Sequence, residues 1–108
     1  MNSEIPLQDI SLEQAFDQYQ AKFKALADKK RLHILHLLTR HGETCVCDLA
    51  PLMDMPQSKL SYHLKILLDA GLINKETRST WSYYSLNIEQ INGLLSEELC
   101  CLFRPDCC

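Results

Sequence analysis

The stretch from Thr44 to Leu86 constrains the fold more than any other, because two helical patterns meet there at Asp54-Met55-Pro56, where proline removes a backbone donor. Before this break, Thr44-Cys45-Val46-Cys47-Asp48-Leu49-Ala50-Pro51-Leu52-Met53 reads as a short helix with Val46, Leu49, Leu52 and Met53 as its buried stripe. After it, Gln57 to Ala70 gathers Leu60, Leu64, Leu67 and Leu68 on one side of a helical wheel, and Gly71 ends the helix. The other side carries Ser58, Ser61, Tyr62, Lys65 and Asp69. Leu72-Ile73-Asn74-Lys75-Glu76 and Trp81-Ser82-Tyr83-Tyr84-Ser85-Leu86 then predict two strands of a hairpin around Thr77-Arg78-Ser79-Thr80. Helix, break, helix, glycine and hairpin, in that order, predict a mainly α fold with a β-hairpin wing: a winged helix-turn-helix.

The flanks fit a single domain. The spacing of Ala15, Phe16, Tyr19, Phe23 and Leu26 predicts a first helix over Leu12 to Leu26, with Asp9 and Ser11 as candidate caps. Asp28 can cap a second, in which Leu32, Leu35 and His36 lie a turn apart and His41-Gly42 supplies the stop. Ile88, Ile91, Leu94, Leu95, Leu99 and Leu102 predict a last amphipathic helix that Pro105 terminates. The expected organisation is one domain with a first helix over 11–26, the helix-turn-helix at 45–71, the wing at 72–86, a last helix over 88–103 and a cysteine-containing tail at 104–108. A chain of 108 residues has one small core, which pairing two subunits extends, so a homodimer is expected. Ile88, Ile91, Leu95 and Leu99 form the edge expected at the interface, with an ordinary intrachain stripe as the alternative.

The net charge of −3 argues mildly against a nucleic-acid partner, but its distribution argues for one. Glu4, Asp9, Glu13 and Asp17 precede any cation, whereas Lys59, Lys65, Lys75 and Arg78 outnumber Asp69 and Glu76 between Gln57 and Tyr84. Candidate contacts to double-stranded DNA are Gln57, Ser58, Lys59, Ser61, Tyr62, His63 and Lys65 on the second helix of the pair and Arg78 at the wing tip. No apolar run reaches the length of a membrane span, and the N-terminus lacks the basic and apolar regions of a signal peptide. A cytoplasmic location is expected. In that reducing compartment the six cysteines read as free thiols for metal or redox chemistry rather than as a disulfide framework.

Cys45 stands where Ser or Thr often caps a helix, and Cys47 follows in the first turn. A helix N-terminus favours the thiolate, and thiolates select arsenic(III), antimony(III), Cu(I), Cd(II) or Zn(II) over hard cations. Residues two apart on a regular helix diverge by about 200°, so a shared ion is expected to require the helix start to unwind. That would move the reading helix it supports.

From Phe23 through Leu86 the chain resembles the ArsR family of winged-helix metalloregulators. The likeness lies in Lys24-Ala25-Leu26-Ala27-Asp28-Lys29-Lys30-Arg31-Leu32 and Gln57-Ser58-Lys59-Leu60-Ser61-Tyr62-His63-Leu64-Lys65, while Glu43-Thr44-Cys45-Val46-Cys47-Asp48-Leu49 is similar to the thiol motif of its arsenic-responsive repressors. The resemblance implies a homodimer held by first and last helices, with recognition helices about 34 Å apart in successive major grooves. It implies arsenite or antimonite as inducer and no organic cofactor. Ala50 replaces a third cysteine found in one version of the motif, so a three-sulfur site needs a donor from elsewhere, and the expected source is Cys100, Cys101, Cys107 or Cys108, of the same subunit or the other. The spacing of Cys100, Cys101 and Cys107 also resembles a C-terminal arsenite site in another branch of the family, which keeps open a tail-only site and, after it, two separate sites. The last helix lacks the His and Asp pairs of zinc sensors, and the first 44 residues lack the cysteine common in cadmium and lead sensors.

An enzyme is not expected: there is no C-x-x-C, and no glycine-rich phosphate loop in a chain of three glycines. A structural zinc module fits C-x-C and C-C poorly. The alternatives within the DNA-binding reading are Cd(II) or Zn(II) sensing, or thiol oxidation, through the same cysteines.

Overall fold

The computed structural model describes residues 5–94, with side chains from residue 12 onward. Its order is α1 (Ile5–Leu26), α2 (Lys29–His41), β1 (Thr44–Cys45), α3 (Val46–Met53), α4 (Gln57–Asp69), β2 (Ile73–Arg78), β3 (Trp81–Leu86) and α5 (Ile88–Leu94). This is a winged helix-turn-helix. Cys100, Cys101, Cys107 and Cys108, with Leu95, Leu99 and the expected extension of the last helix to 103, lie outside the described residues.

α1 begins at Ile5, so Asp9 and Ser11 lie inside the helix and not at its cap. Pro6, in the first turn, forgoes a donor that has no intrahelical partner anyway and leaves the longer helix possible. Asp28 caps α2 as expected, its carboxylate accepting from the amides of Lys30 and Arg31. The buried side of α2 is Ile34, Leu35 and Leu38, while Leu32, 51% exposed, and His36 face outward, a correction to the expected stripe. The core lies one position round the helix because α3 and α4 cover that side.

In α3, Val46, Leu49 and Met53 are buried but Leu52 is 46% exposed. Asp54 takes a left-handed conformation (φ 53°) at the end of α3, and the turn through Met55 and Pro56 starts α4. Leu60, Leu64 and Leu67 are fully buried against Leu49, Ile34 and Leu72 in one core, with Leu68 at its margin. Gly71, with φ of 79°, turns the chain from α4 toward β2, a conformation other residues rarely adopt.

The hairpin is tighter than expected. β2 runs through Thr77 and Arg78, Arg78 pairs with Trp81, and only Ser79 and Thr80 form the loop, with φ of 60° at Ser79. A strand not expected from the sequence, β1, pairs antiparallel with β3 through Thr44 opposite Tyr84 and Cys45 opposite Tyr83. The three-stranded sheet has the order β1-β3-β2. No helix among the described residues is long and apolar enough to cross a membrane.

Candidate functional site

Two faces carry chemistry. On α4, Gln57, Ser58, Lys59, Ser61, Tyr62 and Lys65 are all exposed, and Tyr62 leaves 63% of its surface in solvent. The buried leucines hold the opposite arc, so this polar face points away from the core. Lys65 Nζ meets Asp69 Oδ2 at 3.1 Å one turn along the helix; both ends are well exposed, so solvent screens the pair and a phosphate can compete for the lysine. His63 departs from the expectation. It is 5% exposed and turned toward Arg31 and Asp28, which removes it from the outward face. On the wheel it lies about 60° from Leu60, at the edge of the buried arc, so packing against neighbouring helices draws it inward instead of leaving it as the expected DNA contact.

Arg78 does not reach out from the tip. Its Nη2 donates to Glu43 at 2.7 Å and to Glu76 at 3.1 Å, and its guanidinium lies over the Tyr83 ring, 4.8 Å from the centroid. These carboxylates raise its already high pKa, Glu76 first and Glu43 next, so the charge is permanent. A contact with DNA requires the side chain to exchange these partners.

The second face is the start of α3. Cys45 has an extended backbone (φ −71°, ψ 145°) as the N-cap, and its sulfur accepts from the amide of Cys47 at 3.3 Å. The thiol therefore replaces the usual capping hydroxyl. Because Cys45 is outside the helix proper, the 200° divergence expected for a regular helix does not apply. The two sulfurs meet without unwinding; they are joined as a disulfide, with Cα atoms 5.2 Å apart. This corrects the expected need to melt the helix. Cys45 is 4% exposed, whereas Cys47 is open to solvent.

Beside this pair runs an open groove of about 460 Å³ lined by His41, Glu43, Thr44, Cys45, Asp48, Leu52 and Tyr83. The thiol site thus adjoins the wing on one side, through β1 and Glu43, and the reading helix on the other, through α3. Sequence reasoning missed Glu43 and Tyr83, whose roles arise from strand pairing across the chain. Among the described residues, no group of three His, Cys, Asp or Glu side chains could hold a metal ion. Two sulfurs at one point suit a thiophilic centre, and reduction must first free them.

Fold and faces together define a DNA-binding regulator of the winged helix-turn-helix class with a two-cysteine site beside its reading head. The profile described as "Bacterial regulatory protein, arsR family" matches residues 28–75. An arsenical resistance operon repressor from Bacillus subtilis (strain 168) is 65% identical over 95 residues, covering 84% of this chain and 90% of that protein. The chain belongs to the arsR family of bacterial regulatory proteins. Among solved structures, the homodimeric winged helix-turn-helix DNA-binding domain Mb0332 of Mycobacterium bovis superposes with a TM-score of 0.70 at 33% identity, covering 76% of this chain and 75% of that one. The AntR antimony-specific transcriptional repressor superposes with a TM-score of 0.60 at 30% identity, over 78% of this chain and 76% of that one.

Proposed function

We propose that this chain is a homodimeric repressor of an arsenic-resistance operon that leaves its operator when arsenite or antimonite bonds to its cysteines. The observation that carries the reading is the convergence of the Cys45 and Cys47 sulfurs at the N-terminus of α3, the helix packed on the reading helix. The B. subtilis relative, named for arsenical resistance, supports the same reading. In the reduced protein each new sulfur–arsenic bond replaces a hydroxide of arsenous acid; the thiol proton leaves with that hydroxide as water. A third sulfur comes from Cys100, Cys101, Cys107 or Cys108. The ligand acts as a signal, in keeping with a family of bacterial regulatory proteins.

The operator is read by the exposed side of α4, with Gln57, Ser58, Ser61 and Tyr62 toward base edges and Lys59, Lys65 and Arg78 toward phosphates. Dimerisation uses the exposed stripe Leu12, Phe16, Tyr19 and Phe23 of α1 together with Ile88, Ile91, Leu95 and Leu99. A bond at Cys45 pulls on β1 and on the start of α3 at once. Both elements touch parts of the reading head, so DNA and inducer compete with a coupling of about 1–3 kcal/mol.

Fluorescence anisotropy on DNA from upstream of the gene, with arsenite titrated into the complex of reduced protein, tests this directly. Release at micromolar arsenite is expected. Tight binding that arsenite leaves undisturbed would sink the metalloid reading. The Cys45–Cys47 disulfide favours one second reading, oxidation as the signal: release by peroxide but not by arsenite, reversed by a thiol reductant, would select it.

A further inference from the structure

Arg31 fastens three helices at a point that the polar face of α4 does not include. Its Nη1 lies 3.2 Å from Nδ1 of His63 on α4, while its Nε donates to the carbonyl of Ala25 at 2.7 Å and its Nη2 to that of Lys24 at 3.4 Å, both on α1. A guanidinium has only donors, so His63 Nδ1 must be the acceptor and the ring proton sits on Nε2. The imidazole is buried beneath Tyr62, whose ring meets it edge-on at 5.3 Å.

The charged groups around the ring are Asp28, Lys30 and Arg31 from the start of α2 and Lys59 from α4 itself, whereas α1 offers backbone carbonyls to Arg31. Asp28 Oδ2 is 4.0 Å from Nδ1 but already accepts from two α2 amides. Burial lowers the pKa of His63 from its ordinary 6.5; Asp28 opposes this, and Arg31, Lys59 and Lys30 reinforce it. Protonation would place a second donor and a second cation against Arg31.

We propose that neutral His63 is a positioning residue for operator recognition: by accepting the Arg31 hydrogen bond it fixes α4 against α1 and α2, and its protonation frees α4 and weakens DNA binding. The sign follows from linkage. Above the ordinary value of 6.5 the ring is neutral folded or unfolded and the contact is complete; as pH falls from there through the lower folded value, the unfolded chain binds the proton more readily and the contribution is lost. The inference rests only on the DNA-binding part of the reading above, and needs no metalloid.

The test measures operator affinity of the full reduced chain without metalloid, from about pH 8 to about pH 5.5, the interval in which histidine changes charge. His63→Leu removes the acceptor and should weaken binding roughly tenfold at the upper end, the effect expected for losing a hydrogen bond to a charged group. His63→Asn keeps an acceptor near the Nδ1 position and cannot titrate there. It should recover most of that loss and show a flatter profile than the parent on the acid side. His33, His36 and His41 are the same in both chains, so the comparison isolates position 63. Superimposable profiles for parent and His63→Asn would overturn the proposal even if His63→Leu does not fold. Equal affinity of folded His63→Leu and parent would do the same. Failure of the parent to bind operator at any pH would instead remove the DNA-binding reading beneath it.

Discussion

α3 and α4 stand side by side in the helix-turn-helix and are held in opposite ways. α4 has no side-chain cap at Pro56; it relies on three fully buried leucines and on the Arg31–His63 contact. α3 is shorter, and its start hangs on a sulfur cap that also closes onto Cys47. The difference teaches where signal and reading divide under the proposed function: the reading helix is secured by its buried leucines and one buried hydrogen bond, and the supporting helix by a sulfur group, the kind of group that thiophilic metalloids and oxidants attack.

The sharpest way to break this comparison is to attack the packing. Leu64→Ala removes a buried side chain from the middle of α4 and should destabilise the protein by about 2–5 kcal/mol in urea or thermal unfolding. An effect below about 1 kcal/mol would mean that α4 is not held by its core face as argued.

Next in size is the sulfur end. Cys45→Ser keeps a capping group, and Cys47→Ser changes an exposed position, so both variants should fold and bind operator as the parent does. Each should lose arsenite-induced release, removing a coupling of roughly 5- to 150-fold in operator affinity. Normal release from both variants would move the inducer site to the tail cysteines.

The smallest expected effect belongs to the exposed side of α4. Lys65→Ala leaves the fold untouched, because its pairing with Asp69 is exposed and screened. It should reduce the slope of log affinity against log salt by roughly 0.9 per protomer, the signature of one phosphate contact. An unchanged slope would take Lys65 off the DNA.

Much of this was readable in advance. The break at Asp54-Met55-Pro56, the leucine spacing of α4, the Asp28 cap and the hairpin all express local rules, in which the residues that decide lie within a turn or two of each other. Errors fell where a neighbour distant in sequence intervened. Leu32 and Leu52 have helical spacing suited to burial, yet among the described residues each stays about half exposed. His63 sits on the margin of the buried arc, and Arg31, 32 residues earlier, draws it inward. Arg78 was read as a free wing-tip cation because Glu43, 35 residues away, could not be foreseen beside it.

The sequence by itself determined the order of elements, the exposed polar side of the reading helix and the sulfur chemistry, because periodicity, capping and ligand softness are properties of short segments. Only tertiary structure decided that β1 pairs with β3, that Cys45 therefore caps α3 from an extended backbone, and that its sulfur meets Cys47 without unwinding. Two-residue β1 is too short to announce itself, since its partner strand lies far along the chain and its extended form depends on backbone hydrogen bonds that exist only once the sheet has assembled.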